Sequence, residues 1–230
     1  MRVLIAGAGG GIGSACQQLI HDEGHRTFDV DRPGWDIARP GGAEKAVQDA
    51  TEALGGLDGI VHAVGMSGRQ LGDGPVSSLT DEGWSEILRV NLESAMRLMR
   101  AGIPALRDSG GGSFVTVGSM LGQSADRDFL TAAYAASKAG LLGLTRTAAL
   151  EAAAWDVRVN VIAAGLIETP MSARAAGDEH IQQRLTELHP LGGRMISAHT
   201  VAEAALWLLS RASGATTGAA LPVDAGWGLR

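Results

Sequence analysis

Short apolar runs alternate along the chain with longer segments in which apolar residues recur at helical spacing. Several of the runs end in glycine-containing turns, and the longer segments are rich in alanine and leucine. The predicted strands are 3–6, 26–31, 35–37, 57–65, 113–117, 157–162 and 219–223. The predicted helices are 14–23, 40–53, 81–106, a segment from before 134 to 155, and 201–210. This alternation predicts an α/β protein with a parallel sheet and helices packed on it.

Composition and charge narrow the classes of protein that the pattern allows. A chain of 230 residues has the length of one domain, and its formal net charge of -6 without any Lys/Arg run argues against a nucleic-acid partner. Cys16 is the single cysteine, so no intrachain disulfide can form and a reducing, cytoplasmic location is expected. The first apolar run is too short to span a membrane, and no cluster of side chains suggests a metal.

The first predicted strand leads through a glycine-rich turn into the first predicted helix. Gly7, Gly11 and Gly13 fit the spacing G-x-x-x-G-x-G rather than G-x-G-x-x-G. Small residues at these positions let backbone amides and the positive end of the helix approach a pyrophosphate. The turn therefore predicts a dinucleotide site.

An acidic residue ends the second predicted strand. Asp31 lies 24 residues after Gly7, close to the spacing of an acid that binds a ribose diol. A carboxylate there favours NAD and repels the 2′-phosphate of NADP. Arg32 could pair with that phosphate, and Asp29 is the competing candidate for the acid.

Candidate chemistry is concentrated in the second half of the chain. Tyr134 and Lys138 lie four residues apart in a predicted helix and so share one face. A phenol beside a fixed positive charge ionises more readily, which predicts acid–base chemistry near neutral pH. Ser119 follows the carboxyl end of a predicted strand, where parallel sheets bind ligands. Asn91 lies inside a predicted helix, and His62, alone in an apolar strand, is interpreted as a hydrogen-bonded core residue.

In this order the motifs resemble the short-chain dehydrogenase/reductase family over essentially the whole chain. The matching segments are the glycine turn, His62-Ala63-Val64-Gly65 in place of the family's Asn-Asn-Ala-Gly, Val90-Asn91-Leu92, Ser119, Tyr134-x-x-x-Lys138, residues 160–171, 190–194 and 224–226. The resemblance implies a single-domain Rossmann fold over residues 1–230. It further implies a doubly wound parallel sheet of about seven strands with helices on both faces, and a substrate-loop region at about 166–198.

The resemblance also implies roles for individual residues. Tyr134 is expected to be the general acid/base, Ser119 to hold the substrate oxygen, and Lys138 to bind the nicotinamide ribose and favour phenolate. Asn91 is expected to hold a water that links Lys138 to solvent. The expected cofactor-binding residues are Gly7, Gly11, Ile12, Gly13, Asp31, Asp36, Ile37, Ala63, Val64, Gly65, Tyr134, Lys138, Ala164, Gly165, Ile167 and Thr169. The expected substrate contacts are Ser119, Met120, Leu121, Tyr134, Leu166 and Met171, with Asp126, Arg127, Phe129 and Arg174 also near the mouth.

Three segments depart from the family pattern. The loop between Ser119 and Tyr134 is about two residues longer than usual, and it is expected to border the substrate mouth. His62 and Ala63 replace two asparagines, which removes their usual side-chain hydrogen bonds. The short link from Asp31 to Asp36 leaves no room for a helix between the second and third predicted strands.

The function implied by the resemblance is hydride transfer between NAD(H) and a secondary alcohol or ketone. One alternative is an NADPH-dependent reductase of 3-oxoacyl thioesters, and another is a non-catalytic nucleotide-binding scaffold on the same fold. Apolar and charged residues around the expected mouth allow a substrate with an apolar body and a polar or anionic end. The resemblance implies a homo-oligomer, a tetramer or dimer, built from the helices that hold Asn91 and Tyr134 and from the last strand.

Overall fold

The computed structural model describes residues 1–229, and six of its strands form one parallel sheet in the order β2-β1-β3-β4-β5-β8. Those strands are β1 (Arg2–Ala6), β2 (Arg26–Val30), β3 (Gly59–His62), β4 (Gly112–Val117), β5 (Val157–Ala164) and β8 (Ala220–Val223). A separate two-stranded parallel ladder pairs β6 (Ile167–Glu168) with β7 (Ile196–Ser197). The strand order reverses between β1 and β3, which is the place where ligands bind in sheets of this kind.

Nine α-helices lie within residues 1–229. They are α1 (Gly11–Asp22), α2 (Gly42–Leu54), α3 (Asp81–Leu88), α4 (Ser94–Asp108), α5 (Ala132–Ala152), α6 (Ala173–Ala176), α7 (Glu179–Gln183), α8 (Leu185–Leu188) and α9 (Ala198–Leu209). Thr80 begins α3 by accepting a hydrogen bond from Gly83 N at 3.0 Å, as its position before Asp81 predicts. Within the described chain, none of the helices is both long and apolar enough to cross a bilayer.

Helices cover both faces of the sheet, which confirms the predicted doubly wound fold. Alternate residues of β1 point to opposite faces, so Leu4 packs with α2, α4 and α5, whereas Val3 and Ile5 pack with α1 and α9. Many of the buried helix residues are alanines, whose small side chains let the helices approach the strands closely. A third, smaller apolar cluster includes Leu166, Ile181 and Trp227 and lies under the short helices of 166–198.

The sheet has six strands rather than about seven because residues 35–37 follow a turn at 32–34 and form no strand. Trp35 N donates to Asp31 O at 3.0 Å, which closes the turn. The Trp35 ring lies edge-on to Phe28 with the ring centres 5.4 Å apart, and its indole N–H donates to Asp49. The apolar residues of this stretch therefore cover the edge of the sheet beside α2.

Candidate active site

A cleft opens at the carboxyl ends of β3, β4 and β5, beside the glycine turn that follows β1. The space in and in front of the cleft, open solvent included, is about 1080 Å³. Fifteen of the residues predicted from the sequence line it: Ile12, Ala63, Val64, Gly65, Ser119, Met120, Leu121, Tyr134, Lys138, Ala164, Gly165, Leu166, Ile167, Thr169 and Met171. Segments that are distant in sequence therefore meet at the edge where the strand pattern predicts a ligand site.

Tyr134 and Lys138 lie on the first two turns of α5 and both face the cleft. Lys138 Nζ is 5.6 Å from the centre of the Tyr134 ring and donates to Val117 O at 3.0 Å. Lys138 is only 4% exposed, and this burial lowers the pKa of its ammonium group to about 8. The lysine can therefore lose its proton at a pH not far above neutrality.

Ser119 leaves the end of β4 in an extended conformation, and its hydroxyl accepts a hydrogen bond from Leu121 N at 3.2 Å. The same side chain lies beside the Tyr134 phenol in the cleft. Burial raises the pKa of that phenol, and the neighbouring Ser119 hydroxyl offsets part of the rise. In the protein without cofactor, burial sets the direction of this shift, and the lowering of the phenol pKa by Lys138 stays a prediction.

Asn91 lies in a single π-helical turn, Arg89–Glu93, which interrupts the predicted helix 81–106 between α3 and α4. Its side-chain amide binds the backbone of Met66 at both ends: Oδ1 accepts from Met66 N at 2.8 Å and Nδ2 donates to Met66 O at 3.1 Å. A Cβ on Gly65 would lie 3.5 Å from Asn91 Oδ1 and 3.4 Å from Lys138 Nζ. Asn91 thus lies behind the cleft wall, close to the lysine, and fixes the turn that follows β3.

His62 is fully buried, in agreement with its interpretation as a core residue, and it contacts the π turn through Ser94. Its Nε2 is 2.9 Å from Ser94 Oγ, and that hydroxyl donates its single proton to Val90 O. Nε2 must therefore carry the proton and donate to Ser94. Burial and the charge of Lys138 lower the pKa of His62 to about 3, so the ring stays neutral. His62 stands where the family pattern has an asparagine, and its side chain bonds to Ser94.

The glycine turn is closed tightly enough to exclude side chains. Gly7 has φ +87°, and a Cβ there would lie 2.8 Å from the carbonyl carbon of Ala63. A Cβ on Gly13 would lie 2.0 Å from Gly7 O, and one on Gly11 would lie 2.7 Å from Thr169 Cγ2. Gly10, which precedes α1, supplies no side-chain cap, so the amides of the first turn keep their donors for a ligand. These residues form a cradle that fits a pyrophosphate.

Asp31, and not Asp29, reaches this turn. Asp31 Oδ2 accepts from Gly9 N at 2.7 Å and Oδ1 accepts from Arg32 N at 2.8 Å. Asp29 instead binds the side chain of Gln17. Asp31 is exposed beside the glycine turn, where the hydroxyl groups of a ribose diol could donate to the same carboxylate.

Asp36 and Ile37 lie outside the cleft lining, and their expected cofactor contacts remain predictions. Asp36 Oδ1 accepts from Ala38 N at 3.1 Å, and Ile37 is 2% exposed in the core. Their backbone lies against the start of α2, since a Cβ on Gly42 would lie 2.0 Å from Asp36 O.

Asp73 is a residue of this site that the sequence analysis missed. It is 4% exposed, and its two carboxylate oxygens accept hydrogen bonds from Ala133 N at 2.9 Å and Tyr134 N at 3.1 Å. Thr131, which precedes α5, makes no side-chain cap, so Asp73 caps the helix from another loop. A carboxylate also interacts favourably with the positive end of the helix. Only the folded chain brings positions 73 and 134 together.

The long loop between Ser119 and Tyr134 is held by a buried ion-pair network. Arg184 Nη2 donates to Asp126 Oδ2 at 2.9 Å and to Glu187 Oε1 at 3.0 Å, and Nη1 pairs with Asp128. Asp126 therefore does not line the cleft, although the sequence places it near the mouth. Arg127, also placed there, is exposed and lies outside the lining.

Several further residues line the cleft that were not among the predicted site residues. Phe129 and Arg174 had been placed only near the mouth, and Ser67, Arg69 and Trp227 were not anticipated. Trp227 follows the Asp224-Ala225-Gly226 motif and packs against Phe129 with ring centres 5.4 Å apart. A tryptophan next to a recognised motif is a signal that could have identified it.

Comparison with known proteins agrees with this geometry. The family model described as enoyl-(acyl carrier protein) reductase matches residues 16–228. The 3-oxoacyl-[acyl-carrier-protein] reductase FabG of Vibrio cholerae is 30% identical over 97% of this chain and 95% of its own length. An uncharacterized NAD-dependent oxidoreductase of Mycobacterium tuberculosis is 34% identical over 83% of this chain and 70% of its own.

Among solved structures, a short-chain type dehydrogenase/reductase from Mycobacterium ulcerans superposes with a TM-score of 0.89 at 27% identity, over 99% of this chain and 90% of that one. The relatives match the chain along nearly its whole length, and the order of its motifs is the order of the elements that build the cleft. The chain therefore belongs to the short-chain dehydrogenase/reductase family of oxidoreductases.

Proposed function

We propose that this protein transfers a hydride between NAD(H) and a secondary alcohol or ketone, with Tyr134 as the general acid/base. The observation that carries the proposal is the meeting of Tyr134, Ser119 and Lys138 in one cleft beside the glycine turn. A phenol beside a serine hydroxyl, with an ammonium group behind it, can bind an alcohol oxygen and exchange a proton with it.

The residues of the cleft fit a nicotinamide dinucleotide. Gly7, Gly11 and Gly13 would hold its pyrophosphate against the start of α1, since side chains at these positions would clash with backbone or with Thr169. Asp31 would bind the adenosine ribose, and Ala164, Gly165 and Ile167 line the side of the cleft where the nicotinamide end would lie. When bound, the nicotinamide supplies or accepts the hydride.

Tyr134 takes the proton of the substrate hydroxyl during oxidation and returns it during reduction. Ser119 donates a hydrogen bond to the substrate oxygen and so orients it toward the phenol. The positive charge of Lys138 stabilises the phenolate, which burial alone disfavours. The lysine lies next to Gly65 and Asn91, so it can pass a proton toward the back of the cleft. Asn91 is a positioning residue, because its amide holds the backbone of Met66.

Replacement of the phenol oxygen tests the assignment. Tyr134→Phe should lower kcat by on the order of 10²–10⁴ while the dissociation constant for NADH, measured by fluorescence, stays close to that of the unchanged protein. The exposed Arg127→Gln serves as the control and should retain full activity. Wild-type turnover in Tyr134→Phe with cofactor still bound would refute the proposal.

A reductase of 3-oxoacyl thioesters that uses NADPH is the second candidate, and the similarity to the FabG protein of Vibrio cholerae favours it. The Asp31 carboxylate at the glycine turn argues instead for NAD, because it would repel a 2′-phosphate. The similarity to an NAD-dependent oxidoreductase points the same way. Titration with both cofactors decides: a lower Kd for NADPH than for NADH would favour the thioester reductase and refute Asp31 as the selector.

We also propose a cytoplasmic location. Cys16 is buried, and burial raises the pKa of its thiol to about 12, so it stays protonated and unreactive. A protein whose one cysteine is a core residue has no need of an oxidising compartment.

A further inference from the structure

The charged side chains that line the cleft are all basic. Among the described residues, the charged side chains that line the cleft are Arg69, Lys138 and Arg174, and no aspartate or glutamate lines it. The whole chain has a net charge of -6. A cationic cleft in an acidic protein raises the local concentration of anions and repels cations.

Arg69 and Arg174 come from segments that are distant in the chain and donate to the same backbone oxygen. Arg69 Nη2 and Arg174 Nη2 each donate to Asp128 O at 3.2 Å, so the two nitrogens lie no further apart than twice that distance. Arg174 also lies over the ring of Phe129, 5.7 Å from its centre. Two guanidinium groups at this separation repel each other, and an anion between them would remove that cost.

The carboxylates of the surrounding elements have other partners. Those of Asp126 and Asp128 bind Arg184, and both oxygens of Asp73 accept amide protons at the start of α5. Asp178 pairs with Arg174, but the distance is 3.4 Å and both side chains are partly exposed, which makes the pair weak. A guanidinium has five N–H donors, so most donors of Arg69 and Arg174 remain open to a ligand.

We propose that Arg69 and Arg174 bind an anionic oxygen group of the substrate, a carboxylate or a phosphate, and that Phe129, Met120 and Trp227 contact its apolar body. This assignment rests on the proposed function, because Ser119 and Tyr134 hold the reacting oxygen at the other end of the same cleft. The substrate class is therefore a hydroxy or oxo acid, or a thioester whose carrier arm bears a phosphate. Guanidinium groups suit both anions because they bind two oxygens at once.

Charged substrates and their neutral analogues test the site and separate the two anions. We would compare 3-oxooctanoate with its methyl ester, and the coenzyme A thioester with the N-acetylcysteamine thioester, in the wild type and in Arg69→Gln and Arg174→Gln. For the preferred pair, kcat/KM should be about 10- to 100-fold higher for the charged member, mainly through KM. Each variant should remove most of that difference and leave the neutral member unchanged, whereas Arg127→Gln should change neither.

A binding measurement makes the result independent of turnover. Octanoate and octanamide have no ketone that could accept a hydride, so they bind without reacting. Trp227 in the cleft provides a fluorescence signal for their binding. Octanoate, or inorganic phosphate if the thioester is preferred, should bind the wild type about 10-fold or more tightly than Arg69→Gln. Equal loss of neutral and charged ligands in the arginine variants would overturn the site. Anion binding that depends on both arginines but occurs without any turnover would support the site and refute the proposed reaction.

Discussion

At the scale of single residues, Lys138 combines a buried ammonium group with a position next to the Tyr134 phenol. Its pKa in the folded protein is about 8, below the ordinary 10.5 of a free lysine. Between these values the unfolded chain binds more protons than the folded one, so the stability of the wild type should rise with pH from about 8 to 10.5. Below pH 8 the folded state bears the full cost of the buried charge.

Lys138→Met should therefore gain stability relative to the wild type at pH 7 and lose part of that gain as the pH approaches 10. The difference should change by at most about 1.4 kcal/mol per pH unit, which is the free energy of one pKa unit. Urea unfolding at pH 7, 8.5 and 10 measures it, with Lys45→Met as the control, since Lys45 is exposed and paired with Asp49. A difference that does not vary with pH would contradict the assignment of the low pKa to Lys138.

At the scale of secondary-structure elements, the start of α5 decides where Tyr134 points. This helix has no local side-chain cap, and the carboxylate of Asp73 binds its first amides from a loop that precedes α3. Loss of a helix cap commonly costs about 1 kcal/mol. Here the cap also fixes the turn that bears the phenol, so its loss should reduce catalysis as well as stability.

Asp73→Ala should lower kcat about 10-fold or more with a smaller change in cofactor affinity. A small displacement of the Tyr134 phenol slows proton transfer more than it weakens cofactor binding. Asp73→Asn keeps one acceptor oxygen and should recover part of the activity. Ser197→Ala is the matched control, since it removes the cap of α9 through His199 N and should cost stability but not kcat. Equal kcat in Asp73→Ala and Ser197→Ala, measured below the unfolding temperature, would show that Asp73 has only a structural role.

At the scale of the whole molecule, α5 is apolar on more of its surface than one sheet can cover. Leu150 on this helix is 83% exposed, although the same helix buries Leu141, Ala148 and Ala149 against the sheet. Burial of this leucine against a second copy would remove its apolar surface from water. The family resemblance implies a homo-oligomer built from the helices around Asn91 and Tyr134 and from the last strand, a tetramer being favoured over a dimer, and we expect Leu150 to lie in that contact.

Light scattering should give a mass of about four times the 23.6 kDa of the chain. Leu150→Glu should lower this mass, because it places a charge in the contact. Val76→Glu should not, because Val76 is equally exposed but lies outside α4, α5 and the last strand. A mass of 23.6 kDa for the unchanged protein would contradict the prediction.

The sequence by itself determined the order of strands and helices, the glycine turn, and the Tyr134–Lys138 pair. These features depend on residues close together in the chain: an apolar run, a glycine spacing, and four positions on one helix. The same local reasoning wrongly predicted a strand at 35–37, because an apolar residue that covers the edge of a sheet looks like one that lies within it. It also missed the π turn at Asn91, which the helical periodicity of 81–106 conceals.

The tertiary structure alone decided which distant residues complete the site. Asp73 reaches the start of α5, Arg69 meets Arg174 at one carbonyl oxygen, and Trp227 closes the cleft from the far end of the chain. Charge and aromatic character are visible in a sequence, but their function depends on neighbours that only the packed loops supply. A strand, a glycine turn or a helix face depends on residues close together in the chain. The Asp73 cap, the Asp128 oxygen bound by two arginines and the wall of the cleft form only when the folded sheet brings distant loops into contact.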